Sequence, residues 1–243
     1  MDSQTANADL LRIGETYFMY FRGQHAGHDR IGLATIGVDE FDGKAWKIRS
    51  QPVIDVGRAG DWDKTHALDP ASVLVNGTVY LYYSAVCPTC HRSVCLATSR
   101  DGVHFKKYAE NPVVIGGGPE TVFRNGIFYL YYWKPRKVAK GFEIHLATSH
   151  NGYDFEESCA RPVLPTGPKG SWDSHTVETP RIFDEGGLYY MMYCGSDRYE
   201  DYPWYAGLAI SRDLVHWERY QHNLYFHAEK KENGMKEPSG SPP

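Results

Sequence analysis

Three carboxylates stand where a strand is about to begin: Asp69 in "HALDP", Glu120 in "GGGPE" and Glu178 in "TVETP". The first and third sit at the end of near-identical phrases, "GDWDKTHALDP" from Gly60 and "GSWDSHTVETP" from Gly170, so one local structure is built twice. Two carboxyl groups held about 5–9 Å apart can cleave a glycosidic bond, one as acid at the leaving oxygen and one as base or nucleophile at the anomeric carbon. A crowded, low-dielectric setting would raise one of the two pKa values and leave the other low. The same phrases carry Trp62, Asp63 and His66, and Trp172, Asp173 and His175. The indoles offer stacking walls for sugar rings; the structural alternative is that Trp packs between elements while Asp caps a turn.

What positions these residues is a repeat. An aromatic phrase occurs four times, as "TYFMYF" at Thr16, "VYLYYS" at Val79, "FYLYYW" at Phe128 and "YYMMYC" at Tyr189. Each is followed by an "LATS"-type phrase carrying Leu33, Leu96, Leu146 and Leu208 in register. A third phrase, "RDGVHF", "HNGYDF" and "RDLVHW", follows in three of the repeats and is read as hairpin chemistry. The pairs in "VNGT", "FRNGI" and "DEGG" suit tight hairpins, which need two positive φ angles. Four strands per repeat make a propeller blade, and blades stack because none can bury both its faces alone. The fold class expected is all-β: a β-propeller of four-stranded antiparallel blades. Four blades are visible, and one further step lands on Glu237, so residues 1–228 read as the propeller and 229–243 as a polar tail or the start of a fifth blade.

Because the chain reverses with each strand, the start of the inner strand and the loop between the second and third strands share one face. That face would gather Asp69, Glu120 and Glu178 as catalytic carboxylates around a central funnel. Trp62, Asp63, His66, Trp172, Asp173, His175, Arg22, His91 and Arg198 would line it as substrate-binding residues. The run Lys134, Arg136, Lys137 and Lys140 reads as a solvated loop, with a rim site for phosphate or uronate as the alternative.

The bulk composition excludes several classes. A net charge of -4 supplies no basic field for nucleic acid. No window reaches the ~18 apolar residues of a membrane span, and the start "MDSQTANADLL" lacks a signal-peptide pattern, so the chain reads as unexported and cytoplasmic. Five cysteines without framework spacing read as reduced thiols, and "CPTCH" from Cys87 as a plain reduced loop rather than a haem or zinc motif. No cofactor and no metal is expected; the partner expected is an oligosaccharide or glycoside.

The phrases "LDPASVLVNGTVYLYYS" and "VETPRIFDEGGLYYMMYCG", with the "LATSRDG..F"-type phrase after each, resemble the five-bladed propeller glycoside hydrolases of family 43, with families 32 and 130 as near relatives. The resemblance implies a base Asp, a pKa-tuning Asp and an acid Glu, each at the start of an inner strand. Glu178 then resembles the acid and Asp69 either the tuning residue or the base. If Asp69 is the tuning residue, the base belongs near Ala6, where Asp2 and Asp9 stand out of register; if it is the base, Glu178 takes the tuning place and the acid falls near Glu237. "ETPRIF" also resembles the Glu-Asp-Pro-Arg phrase of family 130, with Thr179 where an Asp is expected. The function implied is cleavage of an oligosaccharide from its end, a furanoside or pentoside, with a non-catalytic glycan-binding propeller and a mannoside phosphorylase as alternatives.

Overall fold

The structure, a computed structural model, describes residues 5–137, 139–198 and 205–221. Four antiparallel sheets follow one another along the chain. Blade 1 comprises β1 (Thr5–Ile13), β2 (Thr16–His25), β3 (His28–Gly37) and β4 (Lys47–Ile48). Blade 2 comprises β5 (His66–Val75), β6 (Thr78–Val86), β7 (Ser93–Ser99) and β8 (Lys106–Lys107), and β9 (Val114–Ile115) adds to the far end of β7. Blade 3 holds β10 (Gly117–Arg124), β11 (Ile127–Pro135), β12 (Phe142–Ser149) and β13 (Glu156–Glu157). Blade 4 holds β14 (Thr176–Glu185), β15 (Leu188–Ser196), β16 (Tyr205–Ser211) and β17 (Glu218–Arg219). The first hairpins turn where the sequence says they should, at Asn76-Gly77, Asn125-Gly126 and Gly186-Gly187, all with positive φ.

Blades stack through one repeated contact. One tyrosine in each of the first three aromatic phrases, at the matching place in the second strand, is fully buried: Tyr20, Tyr82 and Tyr131. Each reaches into the next blade, where its hydroxyl donates to a turn carbonyl: Tyr20 to Gly102 O and Tyr82 to Gly152 O, both at 2.8 Å, and Tyr131 to Leu214 O. The turns that receive them are the "RDGVHF"-type phrases. In blade 2, Ser99 Oγ accepts the amide of Gly102 at 3.0 Å, and Asp101 Oδ1 accepts those of Val103 and His104. Gly102 and Gly152 adopt φ of +73° and +79°, and a Cβ on Gly152 would come within 2.9 Å of the Phe128 and Tyr80 rings. The hydrophobic core is therefore divided into three layers, one at each blade junction. In blade 4 the equivalent place is Met192, which is 46% exposed.

Four blades stand as the sequence indicates, and the tail from residue 229 lies outside the described residues. One expectation is corrected: the sulfurs of Cys87 and Cys90 form a disulfide inside the "CPTCH" loop, while Cys95, Cys159 and Cys194 are free thiols. Two thiols with two residues between them in a tight loop lie within bonding reach, with Cα atoms 5.5 Å apart, and a count of cysteines does not see that.

Candidate functional site

The inner strands β1, β5, β10 and β14 each carry a one-residue bulge. Pairing slips between Ala6 and Asp9, Leu68 and Ala71, Gly117 and Glu120, and Glu178 and Arg181. The residues that open the bulges, Asn7, Asp69, Gly118 and Thr179, share a left-handed backbone with φ of 50–55°. For Thr179, whose side chain is β-branched, that conformation costs roughly 1–2 kcal/mol. The bulges fix the alignment of the blades, and it differs from the one expected. Asp69 matches Asn7 and Thr179, Glu178 stands one place earlier, and Glu120 matches Asp9 and Arg181 one step deeper.

The deeper step is a closed polar plug. Arg181 Nη1 donates to Glu120 Oε2 at 2.8 Å and to the carbonyl of Pro119 at 3.0 Å, and Nη2 reaches the carbonyl of Pro70 at 3.2 Å, so one guanidinium ties blades 2, 3 and 4. The amide of Ile182 donates to Glu120 Oε1 at 3.1 Å. Asp9 joins blade 1 to blade 2 by accepting the amide of Ser72 at 2.9 Å and its hydroxyl. Burial pushes the Glu120 carboxyl up to about 7 and raises that of Asp9, with Arg181 opposing both shifts. Above the plug, Asn7 Nδ2 donates to Asp69 Oδ1, and both Asp69 and Glu120 are only 7% exposed.

On the face carrying the inner-strand starts, a cavity of about 560 Å3 opens. Blade 1 contributes Arg22, Gln24 and Asp29 to its wall, and blade 2 contributes His66, Leu68, His91 and Arg92. Trp133 and Phe142 of blade 3, their rings 4.3 Å apart, supply an apolar side, and Glu178 enters from blade 4. The wall has an internal support: Asp29, 4% exposed, binds Arg22 Nε through Oδ1 and contacts His66 Nδ1 through Oδ2, both at 2.9 Å. Burial lowers the pKa of His66, which keeps its ring neutral near pH 7. Among the described residues no group of three or more His, Cys, Asp or Glu side chains is placed to hold a metal ion.

The structure thus brings Arg22, His66, His91 and Glu178 to one cavity, with Asp69 next to Leu68 beneath it. Glu120 lies in the plug, bound to Arg181. Asp63 and Asp173 are 3% and 2% exposed, and each is held inside its own blade. Tyr83 and Lys107 bind Asp63, while Tyr193 and Arg219 bind Asp173. Trp62 packs on the core layer between blades 1 and 2; Trp172 stacks on Tyr193 with centroids 5.5 Å apart and covers Gly195 and Gly207. His175 packs against Gly141, and Arg198 pairs with Asp197 at 3.0 Å; neither lines the cavity. Sequence reasoning missed Asp29, Arg92 and Arg181, and weighed Asp9 only as a base standing out of register. For Arg181 the signal was present, since it is the Arg of the "ETPR" phrase.

Comparison with known proteins follows the same line. The family of beta-1,4-mannooligosaccharide phosphorylases, glycoside hydrolase family 130, matches residues 111–239, just over half of the chain. An uncharacterized protein of Mycobacterium tuberculosis is 24% identical over 209 residues, covering 80% of this chain and 68% of that protein. A 1,2-beta-oligomannan phosphorylase of Thermoanaerobacter is 32% identical over 106 residues, 41% of this chain and 34% of that one. Among solved structures, the beta-1,2-mannobiose phosphorylase of Listeria innocua superimposes with a TM-score of 0.67 at 14% identity, over 88% of this chain and 74% of that one.

Proposed function

The chain belongs to glycoside hydrolase family 130, and from that premise we propose that it transfers the terminal mannosyl unit of a β-mannoside to inorganic phosphate. This replaces the furanoside or pentoside expected of a family 43 enzyme and takes up the phosphorylase alternative. One observation carries the reading: the cavity sets Glu178 from blade 4 against a wall from blades 1 and 2 that carries Arg22, His66 and Arg92, the first two held by Asp29. Guanidinium groups suit a phosphate dianion because their planar donors match its oxygens in pairs.

In the proposed reaction a phosphate oxygen forms a bond to the anomeric carbon while the glycosidic carbon–oxygen bond breaks. Glu178 gives its proton to the leaving oxygen, and the products are a mannose 1-phosphate and the shortened acceptor. Phosphate is itself the nucleophile, so no carboxylate base is required. The base position that a hydrolase would need near Ala6 holds Asn7, which donates to Asp69. Asp69 orients the sugar at the axis in this reading, Trp133 and Phe142 face its apolar side, and Glu120 keeps the plug closed with Arg181.

The test is incubation with β-1,2- and β-1,4-linked mannobiose in the presence of phosphate, for the wild type, Glu178→Gln and Asp69→Asn. Turnover by the wild type and a loss of about 10²–10⁴-fold in Glu178→Gln is the expected result. A Glu178→Gln variant at full rate would remove Glu178 from its role. Binding of mannobiose with no turnover at all would favour a glycan-binding propeller, a reading to which Thr179 at the place matching Asp69 lends itself.

A further inference from the structure

We infer that Asp29 is a positioning residue that presents Arg22 and His66 to a single oxyanion, the phosphate co-substrate. The inference rests on the phosphorolytic reading above and assigns the phosphate to one part of the cavity. Asp29 is the second residue of the return strand of the β2–β3 hairpin, after the turn at Ala26 and Gly27, both with positive φ. The tight turn puts its carboxylate beside Arg22 of the outgoing strand, and it is almost completely removed from solvent. An anion in that setting is tolerated only when it is bound on several sides.

The way it is bound matters for chemistry. Arg22 is gripped through Nε at 2.9 Å, an edge of the guanidinium that leaves its two Nη groups as the pair of donors an oxyanion would meet. The backbone amide of Asp29 donates to His66 Nδ1 at 3.1 Å. The neutral ring then carries its proton on Nε2, on the side away from Asp29. Should the ring take up a proton from solvent as the anion arrives, Oδ2 of Asp29 stands 2.9 Å from Nδ1 to receive the second N–H. The other charged or titratable groups around His66 are His28, Arg22 and Arg92, and Arg92 lines the same cavity. One buried carboxylate thus holds two donors in a fixed relation, with a third cation close by.

Calorimetric titration of inorganic phosphate into the wild type and Asp29→Asn tests this, followed by steady-state kinetics with mannobiose. The variant keeps the side-chain shape and loses the charge. The expected result is a roughly tenfold weaker phosphate affinity, a matching rise in KM for phosphate, and a KM for mannobiose within about twofold of the wild type. In an Arg22→Ala background, Asp29→Asn should cost less than about twofold more, because the two residues act as a unit. Should Asp29→Asn fail to fold, Asp29→Glu keeps the charge and displaces it by one methylene, and the same selective loss is expected. Undiminished phosphate binding in a folded variant, or KM values that rise equally for both substrates, overturns the inference alone. A wild type that turns over mannobiose but binds no phosphate overturns the phosphorolytic reading and the inference with it.

Discussion

Asp63 and Asp173 follow a tryptophan in matching phrases, and at the residue scale their repetition has a plain physical cause. Blades 2 and 4 each use such an Asp as a buried acceptor for the tyrosine of the second strand and the cation of the fourth, Tyr83 with Lys107 and Tyr193 with Arg219. A sequence shows that such a phrase recurs, but the partners lie 20 to 46 positions away, so structural and substrate-facing acids look alike. Glu120 shows the same ambiguity, since an acid at a crowded axis is either used or paired, and its partner Arg181 is 61 positions further on. Arg181→Met would leave Glu120 and Asp9 without their counter-charge. A loss of about 3–5 kcal/mol in unfolding free energy is expected, read from urea denaturation; a loss below about 1 kcal/mol would show that the plug is not held by this guanidinium. In the double variant with Glu120→Gln part of that loss should return, since the stranded charge is gone.

At the scale of elements, the aromatic and "LATS" phrases gave all four blades in order, because strand periodicity and hairpin turns are local properties. The alignment of the inner strands was off by one to two residues for a reason equally local: a bulge adds a residue to one strand without a signature of its own. Asp9 therefore looked out of register when it stands level with Glu120 and Arg181. The stacking of blades depends on the buried tyrosines, whose hydroxyls each satisfy a carbonyl of the next blade. Tyr82→Phe removes only the oxygen, leaving Gly152 O buried and unpaired, and is expected to cost about 1–3 kcal/mol. Thermal unfolding of this variant beside Tyr193→Phe, whose hydroxyl binds within its own blade, separates the junction from the blade; an unchanged Tyr82→Phe would mean that the apolar layers alone hold the stack.

At the scale of the whole molecule, four stacked blades set a cavity whose wall is assembled from all of them: cations from blades 1 and 2, an aromatic side from blade 3 and Glu178 from blade 4. No blade contains a site alone, which is why the sequence could name the face and several of its residues without naming the cavity. Arg22, His66 and His91 were legible because the repeat fixes the strand ends and the hairpin loop that carry them, whereas His175 and Arg198, read onto the same face, do not line the cavity. Asp29 was not, because nothing in "GHDR" distinguishes a buried support from a surface acid. The central claim concerns where the sugar goes, and phosphorus NMR of a mannobiose digest in phosphate buffer tests it most directly. The account predicts a new sugar phosphate signal growing in step with the disaccharide's loss and absent with Glu178→Gln. Release of free mannose with the phosphate signal unchanged would contradict it.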